Sequence, residues 1–126
     1  MDETFLEDFK KLLKVTNIHL ETFYNYIDIE LPELATITLK NLGKDLPGHI
    51  KSVENLPEPE DERLQKLKES YLNWLKAQLK SCLLLNEYEE NPDDDKLSRW
   101  RESFRQAELL QEETGRLILK SNHFGN

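Results

Sequence analysis

Apolar residues recur every three or four positions along three long stretches of this chain, and that rhythm restricts its fold more than any other feature. Phe5, Phe9, Leu12, Thr16, Leu20, Phe23 and Ile27 follow one another at intervals of four, three, four, four, three and four. A helix turns roughly 100° per residue, so this spacing holds one side of the segment against a core. Leu6, Leu13 and Tyr24 widen that side. A helix is predicted over 4–28. Thr4-Phe5-Leu6-Glu7 has the form of a capping box, with Asp2 as the competing cap.

The second periodic stretch predicts a helix over 61–89. Leu64, Leu67, Tyr71, Trp74, Leu75, Leu79, Cys82, Leu83 and Leu85 cover nearly half its circumference, and Leu84 falls on the charged side. Such a wide arc implies more than one neighbour. Pro57-Glu58-Pro59-Glu60-Asp61 precedes it as a stiff acidic connector. The third helix is predicted over 95–121, with Leu97, Trp100, Phe104, Ala107, Leu110, Thr114, Leu117 and Ile118 on its core side. The short break at Asn91-Pro92-Asp93 makes the last two helices an antiparallel pair. Residues 122–126 form a polar tail.

The middle segment is less regular. Pro32 suits the first turn of a helix and Gly43 the position just past its end. Short helices are therefore expected over 33–42 and 47–55, although Thr36-Ile37-Thr38-Leu39 favours extended structure by propensity. No second strand candidate exists to pair with it. The fold class expected is all-α: one domain, a bundle of three long amphipathic helices plus one or two short ones. Four Gly and five Pro in 126 residues are too few for an all-β chain with its frequent turns.

A second apolar stripe lies on the first helix. Val15, Ile18, Thr22, Tyr26 and Ile29 sit more than a quarter-turn from the core side. A helix with two apolar faces needs cover on both. Either the segment 31–56 folds back over this stripe, or another subunit does. Val15, Ile18, Tyr26 and Ile29 are the interface candidates.

Charge narrows the partners. A net charge of −8 opposes general affinity for nucleic acid or anionic lipid. Residues 96–126 carry six bases and four acids, against three and seven over 1–30, so the C-terminal helix alone suits an acidic partner. Cys82 is the sole cysteine, which excludes an intrachain disulfide and suits a small buried hydrophobe. The acidic N-terminal residues are unlike a secretory or transit peptide, and no apolar run approaches the roughly twenty residues needed to span a bilayer. A cytoplasmic location is expected.

Three catalytic patterns bear comparison with this sequence. The Glu-x-x-His pairs of di-iron bundles are missing: Thr16, Leu46 and Lys120 stand three positions before His19, His49 and His123. Glu30-x-x-Glu33 and Glu58-x-x-Asp61 resemble the acidic signature of MazG-like all-α nucleotide pyrophosphohydrolases, which would imply magnesium held by carboxylates on facing helices. Pro32 and Pro59 interrupt the two pairs, and a chance match among solvated acids is the better reading. Arg116 and His123, with six residues between them, resemble the Arg-x(4–6)-His signature of HEPN-type RNases. That resemblance implies Arg116 on phosphate and His123 moving a proton; a surface Arg and a tail His are the plainer alternative. Arg99, Arg101 and Arg105 alternate with Trp100 and Phe104, but helical register sends the aromatics to the core and the bases to solvent, where Arg105–Glu108 and Glu112–Arg116 are spaced as ion pairs. His19 and His49 show no partner in the sequence.

The expectation is a non-enzymatic helical interaction protein, self-associating through the second stripe or binding another protein, with no cofactor, no metal and no small-molecule substrate. A HEPN-like RNase and an acidic regulator of the antitoxin or anti-repressor type are the alternatives.

Overall fold

The computed structural model describes residues 2–120. Among them the chain is all-α, with four helices in the order α1 (Asp2–Asp28), α2 (Pro32–Glu54), α3 (Glu62–Glu90) and α4 (Asp94–Lys120). Short turns make each helix antiparallel to the one before, and each packs on its predecessor. Tyr24 and Phe23 of α1 reach α4: the Tyr24 hydroxyl donates to Glu108 at 2.8 Å, and the Phe23 and Phe104 rings lie 5.4 Å apart. No helix among the described residues is long and apolar enough to cross a membrane.

The core follows the periodicity. Phe5, Phe9, Leu20 and Phe23 of α1 meet Leu39, Leu42, Leu46 and Val53 of α2 and Leu64, Leu67, Tyr71, Trp74 and Leu75 of α3, all buried. Each large side chain so hidden contributes about 1.5–3 kcal/mol. On α4 only Ala107 and Thr114 are buried among the described residues, while Trp100, Phe104, Leu110, Leu117 and Ile118 are partly covered. Ser70 Oγ lies 2.8 Å from Thr114 Oγ1, so small polar groups tie α4 to α3 where large ones would hold it off.

The middle segment departs from expectation. The two short helices expected over 33–42 and 47–55 are one helix of 23 residues, which runs through both Gly43 and Pro47. Gly43 is not a stop. A Cβ at that position would lie 2.9 Å from Cβ of Cys82, so the missing side chain is what lets α2 approach α3. Pro47 deprives the Gly43 carbonyl of its helical donor, a cost that burial of Leu39, Leu42, Leu46, Ile50 and Val53 offsets.

Smaller departures are local. α1 is already helical at Asp2, so Thr4 and Glu7 form no capping box. The Asp2 carboxylate instead accepts from the Glu60 and Asp61 amides at 2.9 and 3.2 Å, pinning the acidic connector. Lys68, nearly buried, donates to the Leu56 carbonyl and to Glu58 at the same connector. Asp61 and Asp93 cap α3 and α4 through Arg63 N–H and Lys96 N–H, both at 2.8 Å. Ile27 and Leu83, assigned to core arcs, are about half exposed, whereas Leu84 is half-buried. Leu84 shares the α3–α4 groove with Ala77 and Arg99, so α4 covers the flank the sequence left to solvent.

Candidate functional site

α2 meets α1 where His49 bonds Thr16 and Asp45 faces His19, and most of the second stripe stays exposed beside that contact. Val15 is 47%, Ile18 53% and Ile29 62% exposed, while Tyr26 is partly buried against the core. The stripe crosses 15 residues from Val15 to Ile29. Leu31, Leu34 and Ile37, spaced by threes across the start of α2, are also 40–52% exposed. Glu30, Glu33, Leu31, Leu34, Pro32 and Ile37 line a depression of about 340 Å³ there.

That corner has a definable geometry. Leu31 N–H donates to the Tyr26 carbonyl at 2.8 Å and Glu30 N–H to the Ile27 carbonyl at 3.1 Å, the paired bonds of a Schellman turn. Glu30 occupies the left-handed position at φ 59°, where glycine is the usual residue. The turn ends α1 cleanly and brings Leu31 back over Tyr26.

The second notable constellation is part-buried, between the helices. Thr16 Oγ1 lies 2.9 Å from His49 Nε2 and 2.7 Å from the Tyr71 hydroxyl, and His49 Nε2 lies 2.8 Å from that same hydroxyl. The Leu12 carbonyl accepts from Tyr71 at 3.2 Å. Three helices therefore converge on one polar triangle, with His49 bonded where the sequence showed it without a partner. His19 also has a neighbour, Asp45, at 3.6 Å. Burial pushes the Tyr71 phenol well above its ordinary range, and burial with the nearby His19 holds His49 below 6.5. Neutral groups that donate and accept among themselves join helices; they are poor nucleophiles. A signal existed in the sequence: Thr16 and Tyr71 sit at core positions, and buried hydroxyls require partners. Which partner they found depended on how α2 docked.

The residues singled out for chemistry fall apart in space. Glu30 and Glu33 stand at one end of α2, and Glu58 and Asp61 beyond the other, roughly 35 Å away at 1.5 Å per residue. Glu58 pairs with Lys68 and Asp61 caps α3, so both already have structural partners. Among the described residues no group of three or more His, Cys, Asp or Glu side chains is placed to hold a metal ion. Arg116 is exposed and pairs with Glu113 at 2.9 Å, one position along from the Glu112 expected, and Arg105 pairs with Glu108 at 3.7 Å. His123 lies outside the described residues. Cys82 is buried, donates weakly to the Leu39 carbonyl, and has its thiol pushed up to about 11 by desolvation, the state of an inert packing residue.

No protein-family model, curated protein or solved structure matches this chain.

Proposed function

We propose that this protein is a non-enzymatic interaction module that self-associates through the outer face of α1. The observation that carries the reading is the exposure of Val15, Ile18 and Ile29, large aliphatics on a single stripe that α2 leaves open. Scattered exposed aliphatics are ordinary, but several repeating along one side of one helix, with Leu31, Leu34 and Ile37 also exposed just beyond its end, make an apolar face of the kind that marks association surfaces. Closed homo-oligomers need only one such patch, used twice.

Sedimentation of the wild type against Ile18→Asp tests it, because Ile18 is half exposed and outside the core. The wild type is expected to sediment as a dimer and Ile18→Asp as a monomer with an unchanged helical circular dichroism spectrum. A wild type that stays monomeric at high concentration removes the reading.

A further inference from the structure

The outer stripe of α1 is spaced identically in both directions. Val15, Ile18, Thr22, Tyr26 and Ile29 are separated by three, four, four and three positions, so the pattern is symmetric about Thr22. The charges at its two ends have opposite sign. Lys11 and Lys14 flank the beginning, and Lys14 borders the same shallow depression as Ile18. Glu30 and Glu33 flank the end and border the depression that holds Leu31 and Leu34. None of these four charged side chains has an ion-pair or hydrogen-bond partner within the described residues, in a chain that pairs many of its other charges.

We propose that the occupant of this face is a second copy of the chain, laid antiparallel about a two-fold axis beside Thr22. The inference rests on the self-association reading and adds the register and direction of the contact. Positions equally far from Thr22 then meet. Val15 faces Ile29 of the partner subunit, and Ile18 faces Tyr26 of the partner subunit. At each end, Lys11 and Lys14 reach the acidic corner formed by Glu30 and Glu33 of the partner subunit, and symmetry repeats the contact. A parallel pairing of the same stripe would set lysine on lysine and glutamate on glutamate, so charge selects the direction. The stripe, about 21 Å long at 1.5 Å per residue, is covered over its whole length only in this register.

Charge exchange tests it. Two variants, Lys11→Glu/Lys14→Glu and Glu30→Lys/Glu33→Lys, alter exposed side chains only. Each alone should self-associate about tenfold or more weakly than the wild type at low salt, since every cross-subunit pair becomes repulsive. Mixed in equal amounts they should recover a heterodimer, because each then presents the charge the other lacks. A second readout needs no charge change: Thr22→Cys, on the axis, should cross-link to its own copy under mild oxidation. Val15→Cys should cross-link to Ile29→Cys and not to itself. A wild-type dimer whose charge variants associate normally, or whose mixture stays as weak as its components, overturns the antiparallel register and leaves self-association standing. A monomeric wild type overturns both.

Discussion

A methyl group at Gly43 would stand 2.9 Å from Cβ of Cys82, an atom fixed to the backbone of α3 and unable to swing aside. Gly43→Ala must therefore push α2 from α3, at about 1–3 kcal/mol for overpacking. Better helix propensity returns about 1 kcal/mol. Gly48 lies on the same helix with nothing within 4 Å of its would-be Cβ, so only the propensity gain applies there. Thermal melts should show Gly43→Ala less stable than the wild type and Gly48→Ala more stable, the latter by about 4 °C for a domain of this size. Equal shifts would mean that the close approach is not what the glycine serves. In the sequence the two glycines look alike, because nothing local distinguishes a glycine that ends a helix from one that admits a neighbour.

At the scale of the element, the joint between α1 and α2 stores strain at one residue. Glu30 sits at φ 59°, a conformation that costs a residue with a Cβ about 1–2 kcal/mol. Glu30→Gly should release about 1 kcal/mol, measured by denaturant unfolding in dilute, high-salt solution where association contributes nothing. No gain would show that the turn is relaxed. The same scale shows where periodicity succeeded. The buried faces of α1 and α3 were legible from Phe5 to Phe23 and from Leu64 to Leu85, because side chains on a helix return to one side every three to four residues. By propensity alone Gly43 and Pro47 divide α2 in two, because both residue types break helices. Six buried residues, Ala35 to Val53, outweigh that preference.

Across the whole molecule, the polar triangle of Thr16, His49 and Tyr71 links three helices and makes their assembly sensitive to acid. His49 is held below its ordinary value in the folded protein, by burial first and then by the adjacent His19, with Asp45 pulling the other way. On acidification the unfolded chain takes up the proton near pH 6.5 while the folded one resists. The stability that neutral His49 contributes is thus intact above about 6.5 and is lost as pH falls below it. Denaturant midpoints from pH 8 downward should fall for the wild type through that window and fall less steeply for His49→Gln. Parallel curves would remove His49 as the titrating group.

The amino-acid sequence alone determined that this chain is helical, which side of α1 and α3 is buried, and that α1 carries a second apolar stripe, since all three follow from spacing along one helix. Only the tertiary structure decided that 32–54 is one helix, that His49 closes a polar triangle with Thr16 and Tyr71, that α4 shelters Leu84 while Leu83 stays exposed, and that α2 leaves Val15 and Ile18 about half exposed. The reason is common to these cases. Periodicity within a helix says which faces need cover, but the neighbour that supplies it is set by how helices distant in sequence dock, and that depends on side-chain shape at contacts such as Gly43 against Cys82.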